Sequence, residues 1–357
     1  MRAMKSARLL ALTDDPADIR IEEVPRPEPG PGQVRVRMRL APVNPSDLNF
    51  VRGTYRSALA RIVWNQGAAQ PAFDPAHRNP CPEPPYALGG EGVGVVDACG
   101  SGWLARRLQG RRVAVAGVPP NGTWQEYVVV DARRAVALPA SIDDEQGAMF
   151  FVNPLTAHAL VREVLKVRRG EWLLLTAAGS ALAKDIVRLG RRDGFRSLCV
   201  VRREAQVPEL LALGADAVVS TDRHDLPTEV ARLTAGQGVR HALDCVGGEL
   251  AGEVVRCLGV GGHLVLYGTL ADAPIALPSR DLMMPMAHVS GFLLPTWLAG
   301  QSPLTLLGAL RQVRRLMADG VFHAEVAETY PLDRVAEAVA ASLKPGRTGK
   351  VMLSMTG

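Results

Sequence analysis

The chain holds only five cysteines (Cys81, Cys99, Cys199, Cys245 and Cys257), an odd number with no Cys-x-x-Cys pair among them. That pattern argues against a disulfide framework and against a structural zinc site built on paired cysteines. Cys199 and Cys245 fall in apolar runs and are expected to be inert core residues. No apolar run approaches the roughly 18–20 residues that cross a bilayer, so no membrane partner is expected. The opening residues MRAMKSARLLALTDD lack a long apolar segment and a small-residue cleavage site, and a cytoplasmic location is the expectation. Lysine is scarce: the 41 basic residues, set against 36 acidic ones for a net charge of +5, are almost all arginine and are scattered. With no Lys/Arg block, nucleic acid is not an expected partner. The charge suits a solvated arginine-rich surface, or attraction to a phosphorylated substrate or acidic carrier. No internal repeat or low-complexity tract is present.

What is present divides into two rhythms. The 357 residues, 47% hydrophobic and 22% charged, suit a globular protein of about two domains. Residues 1–150 read as short alternating strands broken by Pro and Gly (QVRVRMRLAPV, EGVGVVDAC, RRVAVAG, WQEYVVVDA), a pattern for a small β-barrel or sandwich. Within them, the 33 residues from Arg56 to Leu88 are too long for an ordinary connection and read as a lid, a partner surface or disorder. From Phe151, six mostly apolar strands alternate with helices. This predicts a parallel sheet covered on both faces, a doubly wound α/β nucleotide-binding domain over residues 151–296. Residues 297–357 are expected to return to the first domain.

The strand EWLLLTA runs into AGSALAKDIVRLG, where a dinucleotide fold needs a tight turn and helix N–H groups aimed at phosphate. The usual Gly-x-Gly-x-x-Gly is absent; Gly179 remains, followed by Ser180, Ala181 and Leu182. A cofactorless α/β domain would look similar at this turn. The end of the second strand, LCVVRREA, places Arg202 and Arg203 where an NAD enzyme carries an acid. Arginine there suits the 2′-phosphate of NADPH, and two solvated arginines remain the bland alternative. DCVGG and YGTL close the fourth and fifth strands, at the edge where a nicotinamide would sit.

NPSDLNFVRGTYR, Asn44 to Arg56, offers no cysteine, histidine or metal-ligand pair. Zinc needs convergent Cys, His or carboxylate ligands, and His77 with Cys81 has no partner pair in view, so no metal is expected. Hydride transfer to an activated alkene needs no metal. A tyrosine hydroxyl can hydrogen-bond the conjugated oxygen or deliver the proton, a role worth ~10²–10⁴-fold. Tyr55 is the candidate, unless its ring merely packs on a loop.

These residues together carry a resemblance. Through APVNPSDLNFVRGTY, GGEGVG, GTWQEYVVV, NPLTA, VVRR, LDCVGG, LVLYG, GFLLPTW and GKVML, the chain resembles the medium-chain dehydrogenase/reductase superfamily across nearly its whole length. Within it, the chain is most similar to zinc-free 2-enoyl-thioester reductases of the mitochondrial type, and it shares several motifs with quinone reductases. The resemblance implies a Rossmann domain and a GroES-like catalytic domain, a homodimer, NADPH without zinc, and an enoyl thioester on CoA or acyl carrier protein as substrate. It also implies Tyr55 as the catalytic tyrosine, with Trp297, and less directly Asn44, on the substrate side. Cofactor contacts would come from Asn153, Thr156, Gly179–Leu182, Arg202, Arg203, Tyr267, Gly268, Thr269, Leu270, Phe292, Leu293, Leu294 and Lys350. Three departures stand out: the AGSALA turn, Glu204 after the arginine pair where the family tends to carry another base, and the long segment after Tyr55. Two other readings follow from them. A remodelled pocket suits an NADPH quinone or enone reductase, and an eroded glycine turn suits a non-catalytic NADPH-binding partner protein. NADPH binding without turnover of any acceptor would single out the last.

Overall fold

The computed structural model describes residues 2–54, 83–117, 119–271, 273–344 and 346–355, together with the backbone of 63–64 and 73–78. Tyr55 and most of the 56–88 segment lie outside the described residues. The chain divides into two compact units: Met1–Val152 with Ala324–Gly357, and Asn153–His323.

The first unit is built of antiparallel sheet apart from the parallel pairing of its two last strands. Strands β1 (Ala3–Leu9), β2 (Ile19–Pro25), β3 (Gln33–Pro42), β4 (Val63–Trp64), β5 (Phe73–Arg78), β6 (Tyr86–Ala87), β7 (Glu91–Cys99), β8 (Arg112–Ala116), β9 (Tyr127–Asp131) and β10 (Ala135–Ala137) precede the second unit in sequence. A three-stranded sheet runs β2-β1-β6. The larger sheet runs β10-β8-β7-β3 and continues into the two last strands of the chain. Val34, Val36 and Met38 of β3 face the core, which also takes Trp124, Val128, Leu332 and Val351. Buried Arg35 breaks the alternation; Asp97 on the paired strand β7 neutralises it, with Nε–Oδ1 at 3.0 Å, since a buried charge needs a partner. The end of the long segment is part of the fold, because β6 pairs with β1 and the Tyr86 hydroxyl donates to the Phe50 carbonyl at 2.8 Å.

Among the helices that were not anticipated, one follows Asn44 directly. Pro45–Arg52 is helical, with Pro at its first position and Gly53 closing it in the left-handed conformation (φ 70°), an ending that glycine adopts without steric cost. Its apolar residues Leu48 and Val51 are buried.

The second unit carries β11 (Trp172–Leu175), β12 (Arg196–Val201), β13 (Ala217–Ser220), β14 (Val239–Asp244), β15 (Leu258–Leu266) and β16 (His288–Gly291). They form one sheet in the order β13-β12-β11-β14-β15-β16, parallel at every pairing. The order of the strands reverses at β11, which is the switch point where ligands bind in such sheets.

The expected return at residue 297 needs correction. Helices Leu294–Ala299 and Pro303–Ala318 belong to the second unit, and the first unit resumes at Ala324. The reason is the apolar stripe Ala309, Val313, Leu316 and Met317, which packs the long helix against helix Asn153–His158. Only then do β17 (Val326–Pro331) and β18 (Lys350–Ser354) complete the first sheet, β18 pairing antiparallel with β3.

Helix Asn153–His158 passes into a π-helical turn, Ala159–Val164. His158 is buried there and, among the described residues, neither ring nitrogen has a hydrogen-bond partner. Burial pushes its imidazole down to about 4, with Arg162 adding to the effect and Asp193 opposing it. The unfolded chain therefore takes up this proton first. The stability His158 contributes is present above its ordinary value of 6.5 and is lost as pH falls through about 4, a change of about 3 kcal/mol. His158→Leu is expected to remove that acid slope. Urea midpoints followed from pH 7 to pH 4 test this, and parallel curves for wild type and variant would refute it.

Candidate functional site

In the second unit, most of the sequence-predicted cofactor residues follow the carboxyl ends of the sheet strands. After β11 the turn through Ala177, Ala178 and Gly179 leads to Ser180, which caps helix Ala181–Asp193 by accepting from the Ala183 N–H at 3.3 Å. The left-handed residue of the turn is Ala177 (φ 44°), not glycine, a strain of about 1 kcal/mol. The first N–H groups of the helix have no carbonyl within it to bond, so the turn presents donors and a positive dipole end.

Arg202 and Arg203 stand exposed after β12. Among the described residues neither makes a hydrogen bond or ion pair through its side chain. Beyond β14, Asp244 organises the next loop. Its buried carboxylate accepts from the Thr176 hydroxyl at 2.6 Å and from the N–H groups of Val246 (3.2 Å) and Gly247 (2.8 Å). This ties the ends of β11 and β14 together, a role that sequence reasoning missed although the Asp of LDCVGG was in view.

The loop after β15 folds over Cys245. A Cβ on Gly268 would lie 2.8 Å from the Cys245 Cβ and 2.9 Å from its carbonyl oxygen, so only glycine lets the chain pass. Burial and Cys245 hold the Tyr267 phenol well above its ordinary value. Thr269 and Leu270 are exposed beyond it. After β16 the Phe292 N–H donates to the Leu266 carbonyl at 2.8 Å, and the Phe292 and Trp297 rings lie 6.5 Å apart. Leu293 precedes helix Leu294–Ala299. Asn153 opens its own helix, half-buried, and Thr156 is buried within it. A left-handed turn, a capped helix start, a glycine-only approach and two unpaired guanidinium groups fit a phosphorylated dinucleotide.

Two predicted residues, Asn44 and Lys350, lie in the first unit and meet there. Lys350 opens β18, and its Nζ donates to Asn44 Oδ1. Asn44 Nδ2 donates to Glu91 Oε1 at 2.9 Å. Glu91 Oε2 accepts from the N–H groups of Phe151 (2.8 Å) and Val152 (2.9 Å). Asp47 Oδ2 accepts from the Asn44 N–H at 2.9 Å. All four side chains are buried. Burial pushes the Asp47 carboxyl up to about 7, against the N–H donors of Asn44 and Gly90 and the Lys350 charge. Burial likewise holds Glu91 above the usual carboxylate range, opposed by Val152, Lys350, Asn44 and Phe151. Sequence reasoning did not single out Glu91 or Asp47 as members of this network. The available signals were an acid within the Gly/Val strand GGEGVGVV and an acid at the third position of a Pro-started helix.

Among the described residues, no three His, Cys, Asp or Glu side chains converge as a metal-binding group; the His77 side chain and Cys81 lie outside them. Burial pushes the thiols of Cys199, Cys245 and Cys257 up to about 12, 11 and 12, which makes them poor nucleophiles.

Comparison with known proteins finds two matching family models. Residues 30–140 match the family described as the alcohol dehydrogenase GroES-like domain, and residues 213–353 match the one described as zinc-binding dehydrogenase. The human mitochondrial enoyl-[acyl-carrier-protein] reductase is 27% identical over 322 residues, 88% of this chain and 79% of that protein. Its counterpart in Dictyostelium discoideum is 29% identical, over 72% of this chain and 68% of the other. Among solved structures, a candidate NADPH:quinone reductase from Bacillus thuringiensis is 30% identical, with a TM-score of 0.87 and 99% of each chain covered. The Escherichia coli quinone oxidoreductase complexed with NADPH shares the fold, with a TM-score of 0.84 at 22% identity and coverage of 98% and 99%.

Proposed function

This chain belongs to the medium-chain dehydrogenase/reductase superfamily, and on that premise we propose that it is an NADPH oxidoreductase. Its reaction in this reading is zinc-independent reduction of the C=C of an α,β-unsaturated acyl thioester, carried on CoA or acyl carrier protein. The observation that carries the cofactor assignment is the exposed Arg202–Arg203 pair just beyond the carboxyl end of β12, unpaired among the described residues. The thioester assignment is supported by the enoyl reductases that match most of the chain.

NADPH, when bound, supplies a hydride for the β-carbon of the alkene. The chain's own residues do the rest. The Gly179–Leu182 turn and its helix start receive the pyrophosphate, and Arg202 and Arg203 the 2′-phosphate. Tyr55 donates a hydrogen bond to the thioester oxygen or delivers the proton to the α-carbon. Trp297 packs on the acyl chain.

The test is NADPH oxidation with crotonyl-CoA and a longer enoyl-CoA, with and without a metal chelator, and with NADH for comparison. Turnover with NADPH that resists chelation is expected. No turnover of any enoyl thioester would overturn the substrate assignment. The second reading, a quinone or enone reductase, is favoured by the similarity to the Bacillus thuringiensis protein; quinone turnover without thioester turnover would select it.

We propose in addition that the protein is a homodimer through β16. Among the described residues β16 pairs only with β15, and an open edge is a template for another strand. Val260 and the loop of Met283, Met284 and Met286 are exposed nearby, joined where the Gly261 N–H donates to the Pro285 carbonyl at 2.7 Å. Light scattering is expected to give twice the 38.2 kDa of one chain, falling toward a single chain in Gly291→Pro, whose backbone N–H faces away from β15 because that of Phe292 faces it. A monomeric wild type would sink this proposal.

A further inference from the structure

The surface of the second unit carries an uncharged, largely apolar stretch that ends in free arginines. Residues 293–310, LLPTWLAGQSPLTLLGAL, contain no ionisable side chain. None of Leu293, Trp297, Leu298, Leu304 and Leu307 is buried, and Leu304 is 82% exposed. Within helix Pro303–Ala318 the residues divide by side. At 3.6 residues per turn, Leu304, Leu307, Arg311, Arg314 and Arg315 share an arc of about 100°. Ala309, Val313, Leu316 and Met317 are buried on the side away from that arc. The core therefore accounts for the second set and leaves the two leucines of the first unexplained. Asp319, which ends the helix, is held by Arg192 at 3.1 Å and lies 3.8 Å from Arg315 Nε. Among the described residues, Arg311 and Arg314 make no hydrogen bond or ion pair through their side chains.

We propose that this stripe is the docking surface for an acidic helical protein, the acyl carrier protein that presents the enoyl thioester. Leu304 and Leu307 meet apolar side chains of the carrier, and Arg311 and Arg314 meet its carboxylates. This role rests on the proposed thioester reading and deepens it, because it selects the carrier over CoA. A solvated helix face mixes charges of both signs, whereas this one has no acid before Asp319. CoA is a small ligand that a pocket holds, and it has no use for leucines on an open helix. A helix that lies on a membrane flanks a wide apolar face with basic residues. Here the leucines hold one end of the stripe and the arginines the other, over about 16 Å, which suits a second helix lying along it. Trp297, assigned to the acyl chain, stands on helix Leu294–Ala299, and only Gly300–Ser302 separate that helix from the stripe.

The experiment uses the full chain and follows NADPH oxidation with crotonyl-acyl carrier protein and, separately, with crotonyl-CoA. Arg311→Glu/Arg314→Glu is expected to raise KM for the carrier substrate by about tenfold or more, because like charges then face each other. Its kcat, and both constants for crotonyl-CoA, are expected to stay at their wild-type values. Leu304→Ser/Leu307→Ser is expected to raise the same KM by about three- to tenfold through lost apolar contact. Added salt should weaken the carrier substrate in wild type and strengthen it in the charge-reversed variant, since it screens attraction in one and repulsion in the other. All four side chains face solvent, and circular dichroism checks that each variant folds. If charge reversal prevents folding, Arg311→Ala/Arg314→Ala gives the same readout with a smaller change.

A wild type that reduces crotonyl-CoA but not the carrier substrate overturns the docking surface alone. So does a folded arginine variant whose KM for the carrier substrate is unchanged, or one whose KM rises equally for both thioesters. If the carrier KM holds while the variant loses binding to phosphatidylserine vesicles, or changes its mass in light scattering, the stripe belongs to a membrane or to a second copy and the proposal falls. A wild type that reduces neither thioester overturns the substrate reading and the docking surface together.

Discussion

Tyr55→Phe is expected to lower kcat/KM for an enoyl-CoA by about 10²–10⁴-fold, the range for losing a positioned proton donor or oxyanion contact. NADPH affinity is expected to stay at its wild-type value, because the hydroxyl is assigned to the substrate oxygen. Tyr55 lies outside the described residues, so this expectation rests on sequence and on what leads up to it. Helix Pro45–Arg52 starts at the buried Asn44 and is stopped by left-handed Gly53, two residues before the tyrosine. Steady-state rates with crotonyl-CoA at saturating NADPH make the measurement. A variant within threefold of wild type would remove Tyr55 from the chemistry and favour the bland reading of a packed ring.

Arg202→Ala/Arg203→Ala is expected to reduce the preference for NADPH over NADH by about 10²-fold. A hydrogen bond to a charged group contributes about 1.5–3 kcal/mol, and two exposed, screened guanidinium groups fall toward the lower end of the sum. NADH affinity should hardly move, because these side chains are assigned only to the 2′-phosphate. The preference of the wild type should also fall as ionic strength rises, and that of the variant should not. Kd values for both cofactors at two salt concentrations give the answer. An unchanged NADPH/NADH ratio would return the two arginines to the solvated surface.

The second unit was largely legible because its strands are buried on both faces. Runs such as WLLL and SLCVV are apolar throughout, and helix Ala181–Asp193 carries its own serine cap and glycine stop, so local pattern and tertiary environment agree. Helix Pro45–Arg52 was less so. It is short and mostly polar, and its buried Leu48 and Val51 are too few to show a period. In retrospect the Asn-Pro-Ser-Asp start is an N-terminal signal. The return point of the chain was misplaced for a related reason. Pro303–Ala318 reads as helix in either unit, and nothing local states which neighbour its apolar stripe will find.

Sequence alone determined the class of each unit, the parallel sheet and the residues that follow its strands. Periodicity, turn residues and strand ends are local properties, set by backbone sterics and by which face must leave water. Tertiary structure alone decided that Asn44, Glu91 and Lys350 form one buried chain of hydrogen bonds. Asn44 and Lys350 are 306 positions apart, and their pairing comes from β18 lying beside β3. Nor does any local rule name Ala177 as the left-handed residue of the phosphate turn; packing of the strand, turn and helix around it imposes that conformation. A lysine near the end of a chain and an acid in a glycine-rich strand are unremarkable apart. Folding removes both from water, and each then needs an internal polar partner.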